Sequence, residues 1–264
     1  MTVPTIKAAA RITETAPDKA FDVATEEIDA LLTLLGELRP TDWQLPTDCR
    51  GWTVWDIAAH VAGACEDSKR IRVFLRHSRT ASRRYRDMPW LDAVNQVQID
   101  DRTDRTADEL RAELATLGPA AVRARRRMPA LIRRMPVPKK GMLPAGSKVS
   151  YLVDVIYTRD IWMHRVDIAR ATGRSLATTK SSREVVAQVV RDLATAWSGP
   201  GFTLELTGHG AGGWQVGDGN PVAVVAADSV EACRLLSGRP ALPGVFATSH
   251  AQVAEQLAAM RVAF

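Results

Sequence analysis

Apolar residues recur every three to four positions from Ala20 to Leu38, at Phe21, Ala24, Ile28, Leu31, Leu32, Leu35 and Leu38. This period predicts an amphipathic helix ended by Pro40. After the turn-forming stretch Thr41 to Gly51, a second stripe follows at Val54, Ile57, Ala58, Val61, Cys65 and Ile71. Thr53 is its natural cap, and the helix is expected to run to about His77. A third helical region spans about Trp90 to Met128, broken around Asp101 to Arg105 and restarted by Thr106 as cap. Pro136 to Gly146, with three prolines and two glycines, predicts a loop before a fourth helix from about Val149 to Ala171, closed by Gly173. Four long helices imply a bundle.

The pattern changes after Arg174. Ser181 or Ser182 caps a helix through Trp197, and Ser198-Gly199-Pro200-Gly201 leads into short segments of strand character at Phe202 to Thr207, Trp214 to Val216 and Val222 to Ala226. A helix starting at Asp228 ends near Gly238, and a last one runs from about His250 to Met260. The expected fold is therefore a mainly α four-helix bundle over residues 18–175 followed by a small α+β domain over residues 181–264.

A length of 264 residues, 46% hydrophobic and 25% charged, suits a chain with a substantial core. Three cysteines, Cys49, Cys65 and Cys233, form no C-x-x-C pair, which argues against a disulfide framework or a cysteine-only zinc site and suits a reducing compartment. No apolar run approaches the roughly 18 residues a membrane helix needs, and the N-terminus lacks an apolar stretch flanked by cations, so a cytoplasmic protein without a membrane partner is expected. The net charge of +5 is unevenly placed: Lys69 to Lys140 holds 19 Lys or Arg against 8 Asp or Glu. The arginines at 83, 84, 86, 123, 125, 126, 127, 133 and 134 could meet phosphates. With no aromatic interleaving or helix-turn-helix spacing nearby, a solvated basic face is the preferred reading and nucleic acid the less favoured one.

Gly208, Gly210 and Gly213 spell G-x-G-x-x-G, but a strand-like segment follows where a dinucleotide site needs a helix, so a hairpin turn is expected. Among the five histidines, His60 and His164 lie on helices, each four residues after an aspartate, Asp56 and Asp160. Residues i and i+4 share a helix face. One imidazole from the second helix, with a carboxylate and an imidazole from the fourth, would make a three-ligand zinc site with an open coordination position. Spacing alone leaves this open against two ordinary surface Asp–His pairs worth about 0.3 to 0.5 kcal/mol each. Cys65 falls some 140° round the helix from His60 and is expected to be a buried hydrophobe. Trp52, Trp55 and Trp162 are expected chiefly to pack the core.

The run from Trp43 to His60, WQLPTDCRGWTVWDIAAH, resembles the W-x-x-P-T-x-C-x-G-W-T-V-x-D-x-x-x-H signature of the mycothiol-dependent maleylpyruvate isomerase family, a branch of the DinB-like metal-binding bundles. Asp160 to Gly173 is similar to that family's E-x-x-x-H-x-x-D-x-x-x-x-x-G pattern, and Ala227 to Arg239 to its second domain. The resemblance implies His60, Asp160 and His164 as ligands of a divalent metal, with zinc the best match, and mycothiol or a similar thiol as cosubstrate. It implies isomerisation of, or S-transfer to, a small electrophile such as an unsaturated oxo-acid, with Arg239 at the L-x-G-R position as the catalytic arginine beside His60. Asp160 departs from the family's glutamate, a carboxylate shorter by roughly 1.5 Å against metal–oxygen bonds of about 2.0 to 2.2 Å. Asp56, on the face of His60, is the alternative ligand or an outer partner. A catalytically silent relative that binds metal or a small ligand is the competing reading.

Overall fold

The computed structural model describes residues 6–137, 143–144 and 146–264. Much of the loop expected over Pro136 to Gly146 therefore lies outside the described residues. The helices are α1 (Pro17–Gly36), α2 (Val54–Lys69), α3 (Ile71–Arg84), α4 (Trp90–Asp100), α5 (Ala107–Arg126), the short α6 (Ala130–Arg133) and α7 (Val149–Tyr151), α8 (Tyr157–Ala171), α9 (Ser181–Ala196), α10 (Ser229–Leu236) and α11 (Ala251–Ala259). Between α7 and α8, Leu152–Ile156 is wound with the wider i to i+5 bonding.

Helices α1, α2, α5 and α8 form the bundle, with Ile28, Leu31, Leu35, Ile57, Val61, Leu110, Leu114 and Ile168 meeting in its core. The expected helix from Thr53 to His77 is two helices. Arg70 adopts an extended conformation (φ −134°, ψ 95°), and the chain restarts at Ile71 with neither glycine nor proline to mark the break. The α3–α4 pair then packs against α2. Both expected threonine caps are present. Thr53 and Asp56 form a reciprocal capping box, as do Thr106 and Glu109. Gly173 closes α8 with φ +66°, a conformation open to glycine at little cost.

The strands are β1 (Ile6–Ala8), β2 (Phe202–Thr207), β3 (Gly212–Val216) and β4 (Val224–Asp228), in the order β1-β3-β2-β4. Strands β2 and β3 pair antiparallel across the glycine turn, while β1–β3 and β2–β4 are parallel. The glycine motif is thus a hairpin connection, with Gly208 and Gly210 at φ +78° and +79°. Strand β1 is absent from the sequence reading, and it carries the N-terminal residues across to the C-terminal sheet. The inward faces of β2 and β4, with Phe202, Leu204, Val225 and others, pack on Val186, Val189 and Leu193 of α9.

Helix α8 belongs to both cores: Ile161 and Ile168 face the bundle, Trp162, Met163 and Val166 the sheet side. Most of its charged residues are consequently buried and paired. Arg165 meets Glu27 of α1 at 2.8 Å, and Arg159 meets Asp192 of α9 at 2.8 Å. The basic stretch also has internal uses: Arg125 is buried with its guanidinium over the Tyr157 ring, and Arg126 pairs with Asp18 at 2.9 Å. Among the described residues, no helix is long and apolar enough to cross a membrane.

Glu27 also accepts hydrogen bonds from Thr179 and Ser181, so removing it strands a buried guanidinium and two hydroxyls. Glu27→Ala is expected to cost about 3 to 5 kcal/mol in urea unfolding, whereas the double change Glu27→Met with Arg165→Met should cost distinctly less.

Candidate functional site

The Thr53–Asp56 box sets the start of α2 and thereby the side to which His60 turns, one helical turn on. Asp56 spends its carboxylate there, accepting from the Thr53 N–H and hydroxyl, both at 2.7 Å. It is a cap, and does not join His60. His60 instead meets α8: its Nε2 lies 3.3 Å from Asp160 Oδ2, while His164 Nε2 lies 3.2 Å from Asp160 Oδ1. The ligating atoms of His60, Asp160 and His164 all fall within 4.8 Å of one another. The structure therefore brings together the three residues expected to form one cluster.

The outer nitrogen of each imidazole is held. A carboxylate only accepts, so Gln98, whose Nε2 donates to Asp67 Oδ2 at 2.7 Å, must turn its carbonyl oxygen to His60 Nδ1 at 2.8 Å. His164 Nδ1 donates to Asp167 Oδ2 at 3.2 Å. Both Nδ1 atoms carry protons, which leaves two Nε2 lone pairs aimed at one carboxylate. Such an arrangement repels itself unless positive charge sits between the three groups. Burial would raise the Asp160 carboxyl and lower His164. Their mutual attraction prevails and drives Asp160 well below the carboxylate range and His164 well above that of histidine.

A proton on His164 is one way to supply that charge, and a divalent cation is another. The donor set fits the cation. Two imidazole nitrogens and a carboxylate oxygen, all within 4.8 Å of one another, are the ligand types of a three-ligand zinc site with an open position. The shorter reach of aspartate is met by position, since one carboxylate spans both imidazoles.

Gly63 makes the outer support of His60 possible. A Cβ at residue 63 would come within 2.4 Å of the Gln98 Cβ, so the glycine lets α4 approach α2 closely enough for Gln98 to reach His60. Beyond Gln98, Asp67 Oδ1 lies 2.7 Å from Nδ1 of the fully buried His77, whose Nε2 lies 3.1 Å from Asp101 near the surface. The sequence reading missed this chain. Its one signal was Gln98 itself, an amide beside Val94 and Val97 on the buried side of α4.

On the other side, Arg239 grips Asp167 with Nε and Nη2 at 2.7 and 2.6 Å. It reaches the cluster through Asp167 and is not a wall of the cavity beside His60. Against the burial that would raise it, Asp167 is held down to about 2 by its hydrogen bonds from His164 and Arg239. Cys49 donates to Asp167 at 3.2 Å and receives Arg239 Nη2 at 3.4 Å. Cys49, His164 and Asp167 also lie within metal-ligand reach of one another, but both Asp167 oxygens are taken by a guanidinium that repels a cation. Trp52 lies against both cluster imidazoles, with centroids at 5.1 and 6.0 Å. Trp162 is buried in the sheet-side core, and Trp55 bonds to the Arg105 carbonyl. Burial pushes the Cys65 thiol up to about 11, as befits a core residue.

These features define a helical bundle with a His–Asp–His cluster, joined to an α+β unit that braces one of the histidines. Residues 24–169 match the model of the mycothiol maleylpyruvate isomerase N-terminal domain, and the chain belongs to that family. A crystal structure of the mycothiol-dependent maleylpyruvate isomerase is similar over 92% of this chain and 96% of the other, with a TM-score of 0.57 at 16% identity. A crystal structure of a histidine-to-alanine mutant of the mycothiol-dependent maleylpyruvate isomerase has the same coverage, a TM-score of 0.53 and 15% identity. At these identities the likeness concerns the fold. No curated protein matches the chain.

Two substitutions separate the carboxylates. Asp160→Ala should weaken Zn2+ binding, measured by competition with a chelating dye, by at least about tenfold. Asp56→Ala should leave that affinity unchanged and cost about 0.5 to 2 kcal/mol of stability. The reverse pattern would move the ligand to α2. Gln98→Met, which removes the acceptor on His60 Nδ1, should lower the affinity about 10- to 100-fold without unfolding the protein.

Proposed function

We propose that this protein is a metal-dependent enzyme that uses a low-molecular-weight thiol of the mycothiol type to isomerise, or transfer sulfur to, a small electrophile such as an unsaturated oxo-acid. The observation that carries this reading is the convergence of His60, Asp160 and His164, with both outer imidazole nitrogens fixed, in a chain of this family. These three residues would hold the ion, and zinc suits two imidazoles and one carboxylate. When bound, the ion supplies a Lewis acid that lowers a thiol's pKa enough for thiolate to exist at neutral pH.

The chain's own residues prepare that chemistry. Gln98 and Asp167 keep the Nδ1 protons in place and so keep both Nε2 lone pairs directed inward. Trp52 covers the imidazoles and limits water around them. Addition of the thiolate to an activated carbon–carbon double bond forms a C–S bond and moves the π pair onto the conjugated oxo group. The former double bond then rotates. Return of the pair expels the thiolate and restores the double bond in the trans form, with no net oxidation. With an electrophile that carries a leaving group, the same attack transfers the sulfur and the leaving group departs with its bonding pair.

Arg239 holds Asp167 in position, which supports its role as the second unit's contribution to the site. Its fork is already filled by Asp167, so its contribution is to position that carboxylate and, through it, His164. A cytoplasmic location suits a cosubstrate that must stay reduced.

The purified protein is expected to carry close to one equivalent of metal, and His60→Ala to lose both the metal and thiol-dependent turnover of an unsaturated oxo-acid. Metal retained in His60→Ala, or turnover indifferent to thiol, contradicts the assignment. Arg239→Lys keeps the charge and loses the fork, so turnover should fall while metal content is preserved. Unimpaired turnover in that variant would remove Arg239 from the mechanism.

A further inference from the structure

Beside the His–Asp–His cluster lies a cavity of about 530 Å³, within the range of small-molecule sites. His60 and Asp160 form part of its wall. Its remaining surface is mostly apolar, with Phe74 and Leu91 among the residues from α3 and α4, and Val94 and Ile156 buried deeper. The polar groups are distributed by sign. The inner acids are Asp160 and Asp67, the latter already committed to Gln98 and His77. The cations are Arg79 and Arg83, four residues apart on one face of α3, both solvent-exposed and forming no ion pair among the described residues.

The geometry points to a substrate whose reactive carbon is separated from an anionic group by an apolar body. The body would fill the cavity, the reactive carbon would lie at the cluster, and the anion would remain at the rim with Arg79 and Arg83. This deepens the proposed thiol-dependent activity and rests on it for the chemistry, though not for the binding. A compact dicarboxylate is a poor occupant. One of its charges would sit among Leu91, Val94 and Ile156 with Asp67 nearby, desolvated and unpaired. An apolar body loses nothing there and gains by leaving water. The rim arginines add attraction and orientation at a place where charge is still hydrated.

The test uses carboxylates of increasing length, with calorimetric titration of the protein as purified and no thiol present. From hexanoate through octanoate to decanoate, affinity should rise at least about fivefold for each added pair of methylenes, full burial being worth about fourfold per methylene. Succinate should bind at least about tenfold more weakly than decanoate. The double variant Arg79→Gln with Arg83→Gln should weaken octanoate about three- to tenfold and leave octan-1-ol unchanged. Leu91→Asp, at a half-buried position where folding should survive, should weaken every member of the series. A flat chain-length series, succinate binding as tightly as decanoate, or indifference to Leu91→Asp would overturn the inference. Since these are binding measurements, chain-length-dependent affinity without thiol-dependent turnover would refute the proposed reaction and leave the cavity assignment standing. Turnover confined to compact dicarboxylates that decanoate does not inhibit would do the opposite.

Discussion

Helix α8 is covered on two sides, by the bundle core and by the sheet unit, and a charged side chain on such a helix has to find its counter-charge inside the protein. Three of its ionisable groups do so completely: Arg165 with Glu27, Arg159 with Asp192, and Asp167 with Arg239. Arg170, near the end of the helix, is exposed and pairs with Asp48 and Glu231, whereas Asp160 and His164 are completed by His60 from α2, and this set is left short of positive charge. One carboxylate faces two imidazole nitrogens whose protons are engaged on the far side of each ring. The need of the cluster for positive charge, from a proton on His164 or from a cation, thus follows from burial, hydrogen bonding and tautomer together.

The two sides of the cluster have different physical characters. Towards Asp167 the groups are dense, charged and mutually saturated, with Arg239 and Cys49 packed around one carboxylate. Towards α3 and α4 the surroundings are open and apolar, and about a quarter of the Asp160 side chain remains accessible. A rigid polar brace behind and a dry cavity in front is the division expected of a site that fixes its ligands on one face and admits a small molecule on the other. Helix α10 contributes to the brace: Arg234 reaches Asp48 at 2.8 Å, just before Cys49, and so ties the sheet unit to the loop that leads into α2.

Each half of the histidine cluster was legible because its information is local, while the meeting of the two halves was implied by the family resemblance and left open by spacing. Asp160 and His164 share a face by spacing, and His60 follows a capped helix start at a fixed distance. The same locality made Asp56 ambiguous, since a carboxylate three residues after Thr53 and four before His60 suits both a capping box and a ligand pair. In the folded chain its carboxylate caps α2. What lay beyond reach was non-local. The break at Arg70 has an uninterrupted helical pattern around it. Strand β1 is three exposed residues whose partner, β3, is some 200 positions away. Gln98 and His77 acquire their roles from the approach of α4 to α2 over Gly63.

The wide turn at Leu152–Ile156 shows how such long-range demands shape a local irregularity. In a regular helix, residues eight apart differ by about 80° in direction, too far for both to share a small acceptor. One additional residue in a turn brings the separation close to that of seven, about 20° from alignment. Tyr151 and Arg159 stand eight apart across the turn, and both address Asp192 of α9. Arg159 is thereby fixed towards α9, and Asp160, about 100° further round, is directed away from it to the imidazoles and the cavity. The irregular turn reconciles the anchoring of α8 on the sheet side with the presentation of its carboxylate on the other.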